Sequence, residues 1–229
     1  MKKTLLMAAM MVASLSASAQ YEAGTLSIQP RVGVVGATLT NMPSVQLTEL
    51  GNKKLDSEPL GGFFFGADAE YQLADKFSLA AGLNFSQAGS AWENYNYTSE
   101  GVKYEVKDSK VELGYINIPV TASYYIWKGL AVKSGVQFGF LTSAKVKSTI
   151  KASEGSTKAS VDMDEDFKDN CEKFDISIPV GLSYEFDNHL VIDARYNIGL
   201  NKVNKDSAPG VKDSKNGVFT LTIGYKIKL

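Results

Sequence analysis

The sequence predicts an all-β protein, an eight-stranded antiparallel up-and-down transmembrane β-barrel. Three observations predict it: a hairpin repeated along the chain, apolar residues on every second position, and tight turns that alternate with long polar connections. The repeat is clearest where Tyr115-Ile116-Asn117-Ile118-Pro119-Val120-Thr121-Ala122-Ser123-Tyr124 returns as Asp175-Ile176-Ser177-Ile178-Pro179-Val180-Gly181-Leu182-Ser183-Tyr184. Across the following turn, Leu130, Val132, Val136 and Phe138 correspond to Leu190, Ile192, Tyr196 and Ile198. A fainter third copy runs from Tyr71 through Ala74-Asp75-Lys76 to Phe77, Leu79, Leu83 and Phe85. A recurring hairpin means a fold made by repeating hairpins. Its period of two is that of a strand with two unlike faces.

Residues 1–19 read as a cleaved targeting segment, with Lys2 and Lys3 as a basic start, an apolar core from Leu5 to Leu15, and the small residues Ala17-Ser18-Ala19 before the cut. That core is shorter than the ~20 residues a membrane helix needs. Residues 20–229 then form one barrel domain, with no Pro- or Ser-rich linker to divide them. Without Lys2 and Lys3, the 24 basic residues become 22 against 25 acidic ones, a net charge of −3. That balance excludes nucleic acid as a partner by electrostatics. The single cysteine, Cys171, makes no internal disulfide and reads as a plain residue of a polar loop, with an intermolecular bridge as the alternative.

Eight strands follow in order. Leu26–Val35 carries Arg31 and Gly33 on its small or polar face, and Gly62–Leu73 carries Gly62, Gly66, Asp68 and Glu70. Phe77–Ser86 carries Gly82, and Val111–Ile126 holds the first proline of the repeat, Pro119. Leu130–Thr142 carries Lys133, Gly135 and Gly139. Phe174–Phe186 sets Asp175, Ser177, Pro179, Gly181, Ser183 and Glu185 against a face of apolar residues. Leu190–Asn201 carries Asp193, Arg195 and Gly199, and Val218–Leu229 carries Thr220, Thr222, Gly224, Lys226 and Lys228. The prolines cannot donate to a ladder, so a bulge or local break is expected at each. A change of phase at Tyr115/Ile116 points to a bulge there.

Ala74–Lys76, Trp127–Gly129 and Asp187–His189 are tight turns, whereas 36–61, 87–110, 143–173 and 202–217 are long and polar. All long loops therefore fall on one rim and both termini on the other, the asymmetry of outer-membrane barrels. The glycine-rich face belongs inside, where tightly curved strands compete for space. Aromatics gather near the strand ends: Tyr71, Phe77, Tyr124, Trp127, Tyr184 and Phe186 at the turn rim, and Phe63, Phe85, Phe138, Phe140 and Phe219 towards the loop rim. Such rings favour the two membrane interfaces.

Turning the small face inward takes a set of charges with it: Arg31, Asp68, Glu70, Lys133, Asp175, Glu185, Asp193, Arg195 and Lys226, with Lys228. Confined charges must pair. Arg31 and Arg195 are expected at the centre, bridging Asp68, Glu70, Asp193 or Glu185. An eight-stranded interior is just wide enough for side chains, so a polar plug is the expectation and a narrow lined pore the alternative. The only histidine, His189, lies in a turn on the periplasmic rim and reads as a solvated turn residue rather than a general base. No G-x-S-x-G and no phosphate-binding loop occurs. Catalytic, cofactor-binding and metal-ligating residues are accordingly expected to be none.

The run Asp162-Met163-Asp164-Glu165-Asp166 matches the first ligand offsets of a calcium loop, but Phe167 replaces the required glycine and Lys173 the closing glutamate. It reads as solvated charge, with a weak external cation site left open. Lys145, Lys147, Lys151 and Lys158 nearby are candidates to meet lipid phosphates or simply to solubilise a loop. Trp92, Tyr95, Tyr97 and Tyr104 in the connection 87–110 are candidate partner contacts, rim caps or interface residues.

The I-x-I-P-V-x-x-S-Y hairpins, the segment Ser183-Tyr184-Glu185-Phe186 with its following strand end Arg195-Tyr196-Asn197-Ile198-Gly199-Leu200, and the finish Gly224-Tyr225-Lys226 resemble the small outer-membrane β-barrel proteins labelled "porin family" or PorT-like. The resemblance covers essentially the whole of 20–229. It implies an outer-membrane barrel delivered by the Sec route and inserted by the barrel-assembly machinery, with outer-membrane lipids as its surroundings. Loops would face outward and termini the periplasm. The family label does not by itself establish transport, and the first expectation for this chain is structural anchoring by the strands with surface contacts to a ligand made by the loops. A small pore is the alternative and an outer-leaflet lipid enzyme a remote one. The chain departs from many such barrels by ending in Leu229 rather than an aromatic residue.

Overall fold

A computed structural model describes residues 21–41, 45–47, 53–55, 57–99, 101–155, 157–205 and 213–229. The expected targeting segment 1–19 lies outside the described residues, as do parts of the connections 36–61 and 202–217. The strands in chain order are β1 (Leu26–Leu39), β2 (Val45–Leu47), β3 (Lys53–Leu55), β4 (Ser57–Glu58), β5 (Leu60–Ala74), β6 (Phe77–Trp92) and β7 (Tyr95–Ser99). They continue as β8 (Val102–Trp127), β9 (Leu130–Glu154), β10 (Thr157–Asp166), β11 (Phe174–Glu185), β12 (Leu190–Gly199), β13 (Asn216–Tyr225) and β14 (Ile227–Lys228).

Eight of them close a ring. Each neighbour in the order β1, β5, β6, β8, β9, β11, β12, β13 is paired antiparallel, and β13 returns to β1 with Arg31 opposite Gly224 and Val35 opposite Thr220. β14 completes the seam, where Leu229 N–H donates to Leu26 C=O at 2.9 Å. Closure removes the free edges that an open sheet would expose.

The two faces separate as the pattern requires. Val32, Val34, Phe63, Phe65, Leu83, Leu182, Leu221, Ile223 and Ile227 are exposed on the outside, while Gln29, Arg31, Asp68, Glu70, Asp193, Thr220, Thr222 and Lys226 are buried inside. A soluble protein rarely exposes so continuous an apolar band; lipid is the solvent this surface suits. Tyr71, Phe77, Tyr124 and Trp127 are exposed where the band meets the turns.

Each proline marks a local break in one ladder, without a bulge. Pro119 pairs with Gln137 and Pro179 with Asn197 without any change of register. The ladder on each proline's other side lapses instead: β8 against β6 skips Ile118 and Pro119, and β11 against β9 skips Ile178 and Pro179. A missing donor costs one stretch of ladder, and the flanking pairs hold the register. Both prolines are buried on the inner face.

The register shift expected near Tyr115 lies in the β8–β9 pairing, between Gly114 opposite Ser143 and Tyr115 opposite Leu141. The unpaired residue is Thr142 of β9, while β8 keeps its phase: Leu113, Tyr115, Asn117 and Pro119 all face in. What changes at Tyr115/Ile116 is the chemistry of the interior, which becomes apolar towards the loop rim.

The connections 87–110 and 143–173 are largely strand rather than loop. β8 and β9 have 26 and 25 residues, whereas a tilted strand crosses a membrane in ~9–11. Their outer parts pair with each other and with β7 and β10, forming a four-stranded sheet that projects beyond the band.

Candidate functional site

The barrel interior is layered. Nearest the turn rim, Lys226 Nζ lies 2.9 Å from Glu185 Oε2 and 3.2 Å from Glu70 Oε1. Glu70 Oε1 also accepts hydrogen bonds from the Tyr125 hydroxyl at 2.7 Å and the Ser78 hydroxyl at 2.8 Å. The chain leading into β1 closes this end: the Tyr21 hydroxyl is 3.0 Å from His189 Nδ1, which lies 3.4 Å from Glu185 Oε1. Burial, then the Glu185 carboxylate, push the Tyr21 hydroxyl well above its ordinary pKa.

The next layer joins five side chains from four strands. Arg195 Nε is 2.7 Å from Asp193 Oδ1, and its Nη2 is 3.3 Å from Asp68 Oδ2. Arg31 reaches Asp68 Oδ2 at 3.0 Å and Asp193 Oδ1 at 3.7 Å, and Lys133 Nζ reaches Asp193 Oδ2 at 3.3 Å. Strand pleat places these residues: Arg31, Asp68, Lys133, Asp193 and Arg195 occupy alternate, inward positions of β1, β5, β9 and β12. Arg31 and Arg195 both pair with Asp68 and Asp193, whereas Glu70 and Glu185 pair with Lys226.

Four cations therefore face four carboxylates, and the ninth expected member, Asp175, is elsewhere. Asp175 Oδ1 accepts from Asn216 Nδ2 at 3.1 Å, in a neutral layer with Tyr115, Asn117, Ser177 and Asn197. A strand tilted in a barrel sets the height of each residue by stagger, which a one-dimensional pattern does not carry. Lys228 is exposed and lies outside the interior altogether.

Above the neutral layer the interior turns apolar. Val35, Ala37, Leu39, Phe64, Ala88, Val111, Leu113, Leu141, Ala144, Val203 and Val218 form one buried cluster. Arg31 touches it from below, its guanidinium carbon 4.6 Å from the Phe64 ring centroid. Trp92 is partly buried and packs against the same cluster. Cys171 is in the cluster too, buried where a polar loop residue is expected, and burial pushes its thiol up to about 11.

The projecting sheet is amphipathic. Tyr95, Val106, Ile150 and Val161 stand in one cross-strand row, and Tyr97, Tyr104, Ala152 and Ala159 in the next. Tyr97 stacks on Tyr104 at 4.7 Å between ring centroids and on Tyr95 at 6.2 Å. The three tyrosines are strand residues, not loop residues, and they pack on one another. The opposite face carries Lys103, Lys107, Lys110, Lys145, Lys147 and Lys151, laced by Glu105 and Glu112. The acidic run forms β10: Thr149 donates to Asp162 at 2.9 Å, and Lys145 pairs with Asp164 at 3.2 Å. An extended strand spaces these carboxylates along a line and does not wrap a cation as a loop does. Lys158 shares that charged face.

His189 belongs to the turn rim, remote in the fold from the projecting sheet, and its ring is engaged by Tyr21 and Glu185. Among the described residues, no group of three histidine, cysteine, aspartate or glutamate side chains is placed to hold a metal ion.

No curated protein matches. Among solved structures, the attachment invasion locus protein Ail of Yersinia pestis is 17% identical with a TM-score of 0.43, covering 90% of this chain and 99% of that one. Neisserial surface protein A is 13% identical with a TM-score of 0.42, covering 88% and 97%. OprG of Pseudomonas aeruginosa is 11% identical with a TM-score of 0.39, covering 92% and 99%. A family model described as "Outer membrane protein beta-barrel domain" matches residues 18–205. The chain belongs to this family of outer-membrane β-barrel proteins, and its apolar outer band lies in the outer membrane.

Proposed function

We propose that this protein is a plugged outer-membrane anchor that holds an amphipathic β-sheet outside the cell for surface contacts. The observation that carries the reading is the interior: four cations and four carboxylates interlock across the barrel and an apolar layer lies above them. A water-filled path would have to break both. Opposite charges 2.7–3.7 Å apart in a buried interior attract each other more strongly than charges facing water. The protein is not an enzyme in this reading, since its one histidine is tied into the turn rim. Residues 1–19 direct export through the Sec route, the assembly machinery inserts 20–229, and outer-membrane lipids surround it. A surface ligand would meet the tyrosine or lysine face of the projecting sheet. Liposome swelling tests the anchor against the pore: purified protein should admit arabinose no faster than empty liposomes, whereas rapid swelling would establish a solute pore.

A further inference from the structure

The charged layers are balanced by themselves. Among the described residues, the buried cations are Arg31, Lys133, Arg195 and Lys226, and the buried carboxylates are Asp68, Glu70, Asp175, Glu185 and Asp193. All of these but Asp175 are in ion pairs. Asp175 is 8% exposed, and its side-chain hydrogen bond comes from a neutral amide, Asn216 Nδ2. A buried carboxylate held by one neutral donor is costly. When Asp175 is ionised, the interior is one positive charge short.

A cavity of about 10 Å³ lies beside it, lined by Asp175, Asn197, Asn216, Gln137 and Ser177 among others. This is room for one water-sized species. Gly139 stands opposite Asp175 on β9 and fills none of the space. Two of the lining residues, Asn197 and Asn216, which are 7% and 5% exposed, each carry a buried side-chain oxygen, Oδ1, with no hydrogen-bond partner. A hydrogen bond from a neighbour would be needed to satisfy each, or a cation.

We propose that this cavity binds one monovalent hard cation of sodium's size, ligated by the Asp175 carboxylate and the Oδ1 atoms of Asn197 and Asn216. Oxygen-only donors select hard cations over soft ones. A single carboxylate selects one positive charge, because a divalent ion would leave a net charge buried. The small cavity excludes large organic cations. The site lies between the ion-pair layer and the apolar layer, so the ion would be structural cargo of the barrel, not a solute in transit.

The test uses the full chain refolded in detergent, with sodium chloride exchanged for N-methyl-D-glucamine chloride at equal ionic strength. The wild type should unfold at a temperature several degrees higher in sodium, with a saturable dependence on its concentration. Asp175→Asn should unfold at the same temperature in both salts. Equal unfolding temperatures for the wild type would overturn the proposal and leave a water in the cavity. An undiminished sodium increment in Asp175→Asn would also overturn it and assign the effect to the surface acids of β10. Should that variant fail to fold, Asn197→Leu removes one ligand oxygen without changing charge. It should shrink the increment, and an unchanged increment counts against the site.

Discussion

Arg195 and Asp193 lie two residues apart on β12 and grip each other in a fork, Nε to Oδ1 at 2.7 Å and Nη2 to Oδ2 at 2.9 Å. The pleat puts both on the inner face, and Asp193 also meets Arg31 and Lys133. Asp193 thus helps to compensate three cations, two of which it shares with Asp68. Asp193→Asn keeps the shape and removes that compensation, and breaking a buried pair this way costs about 3–5 kcal/mol. Urea unfolding of the refolded barrel should show a loss of that size. Losing less than 1 kcal/mol would mean the cations find other partners.

Gly82 tests the tightness of the same layer. A Cβ there would run into Asp68 Oδ1, with Ala67 C=O 2.9 Å away. Asp68 cannot yield without leaving Arg31 and Arg195. Gly82→Ala is expected to destabilise by about 1–3 kcal/mol through overpacking, read as a lower temperature for the folded-to-unfolded gel shift.

The hairpin, its turns and the inward charges are legible in sequence because a strand's period of two needs no knowledge of the partner. The projecting sheet is not legible. Outside lipid, the outward face of β9 carries Lys145, Lys147, Thr149 and Lys151, and that of β8 Lys103, Lys107 and Lys110, so the apolar-outside signature that marks a membrane strand is lost. The segment then reads as a polar loop. Asp175 looks identical to Asp193 in one dimension, and only stagger sends it to the neutral layer. The apolar interior cluster is equally hidden, because Leu113 and Tyr115 share a face with Asn117.

The projecting part of β8 and β9 should respond to acid. Burial raises the pKa of the Glu112 carboxyl, but hydrogen bonds from Lys110 and Lys147 outweigh it and hold the group below the usual carboxylate range. A depressed folded pKa contributes stability that is present above the unfolded value, ~4.3, and lost as pH falls through the folded one. Exposed pairs of this kind are worth about 0.2–1 kcal/mol. Amide protection factors in 102–112 and 145–154, taken relative to the intrinsic exchange rate at each pH, should therefore fall in acid below that range, and Glu112→Gln should reduce this acid-dependent step, the remainder belonging to Glu105, which Lys107 and Lys103 hold down in the same way. A variant with the same acid dependence as the wild type would assign it to other groups.

Cys171 should resist alkylation. It is 2% exposed, and its thiol is pushed up to about 11, which leaves little thiolate near neutrality. Maleimide labelling at pH 7.4 should be slow in the folded barrel and complete after boiling. Rapid labelling of the folded protein would show that the outer apolar layer opens.

Planar-bilayer recording tests the plugged barrel most directly. The wild type should produce no large, stable single-channel steps in 1 M potassium chloride, a concentration of about three Å Debye length that screens surface fields but not buried pairs. Reproducible, stable conductance from purified, heat-modifiable protein would contradict the account, because ions would then have to pass through both the Arg31–Asp68–Asp193–Arg195 layer and the apolar layer above it.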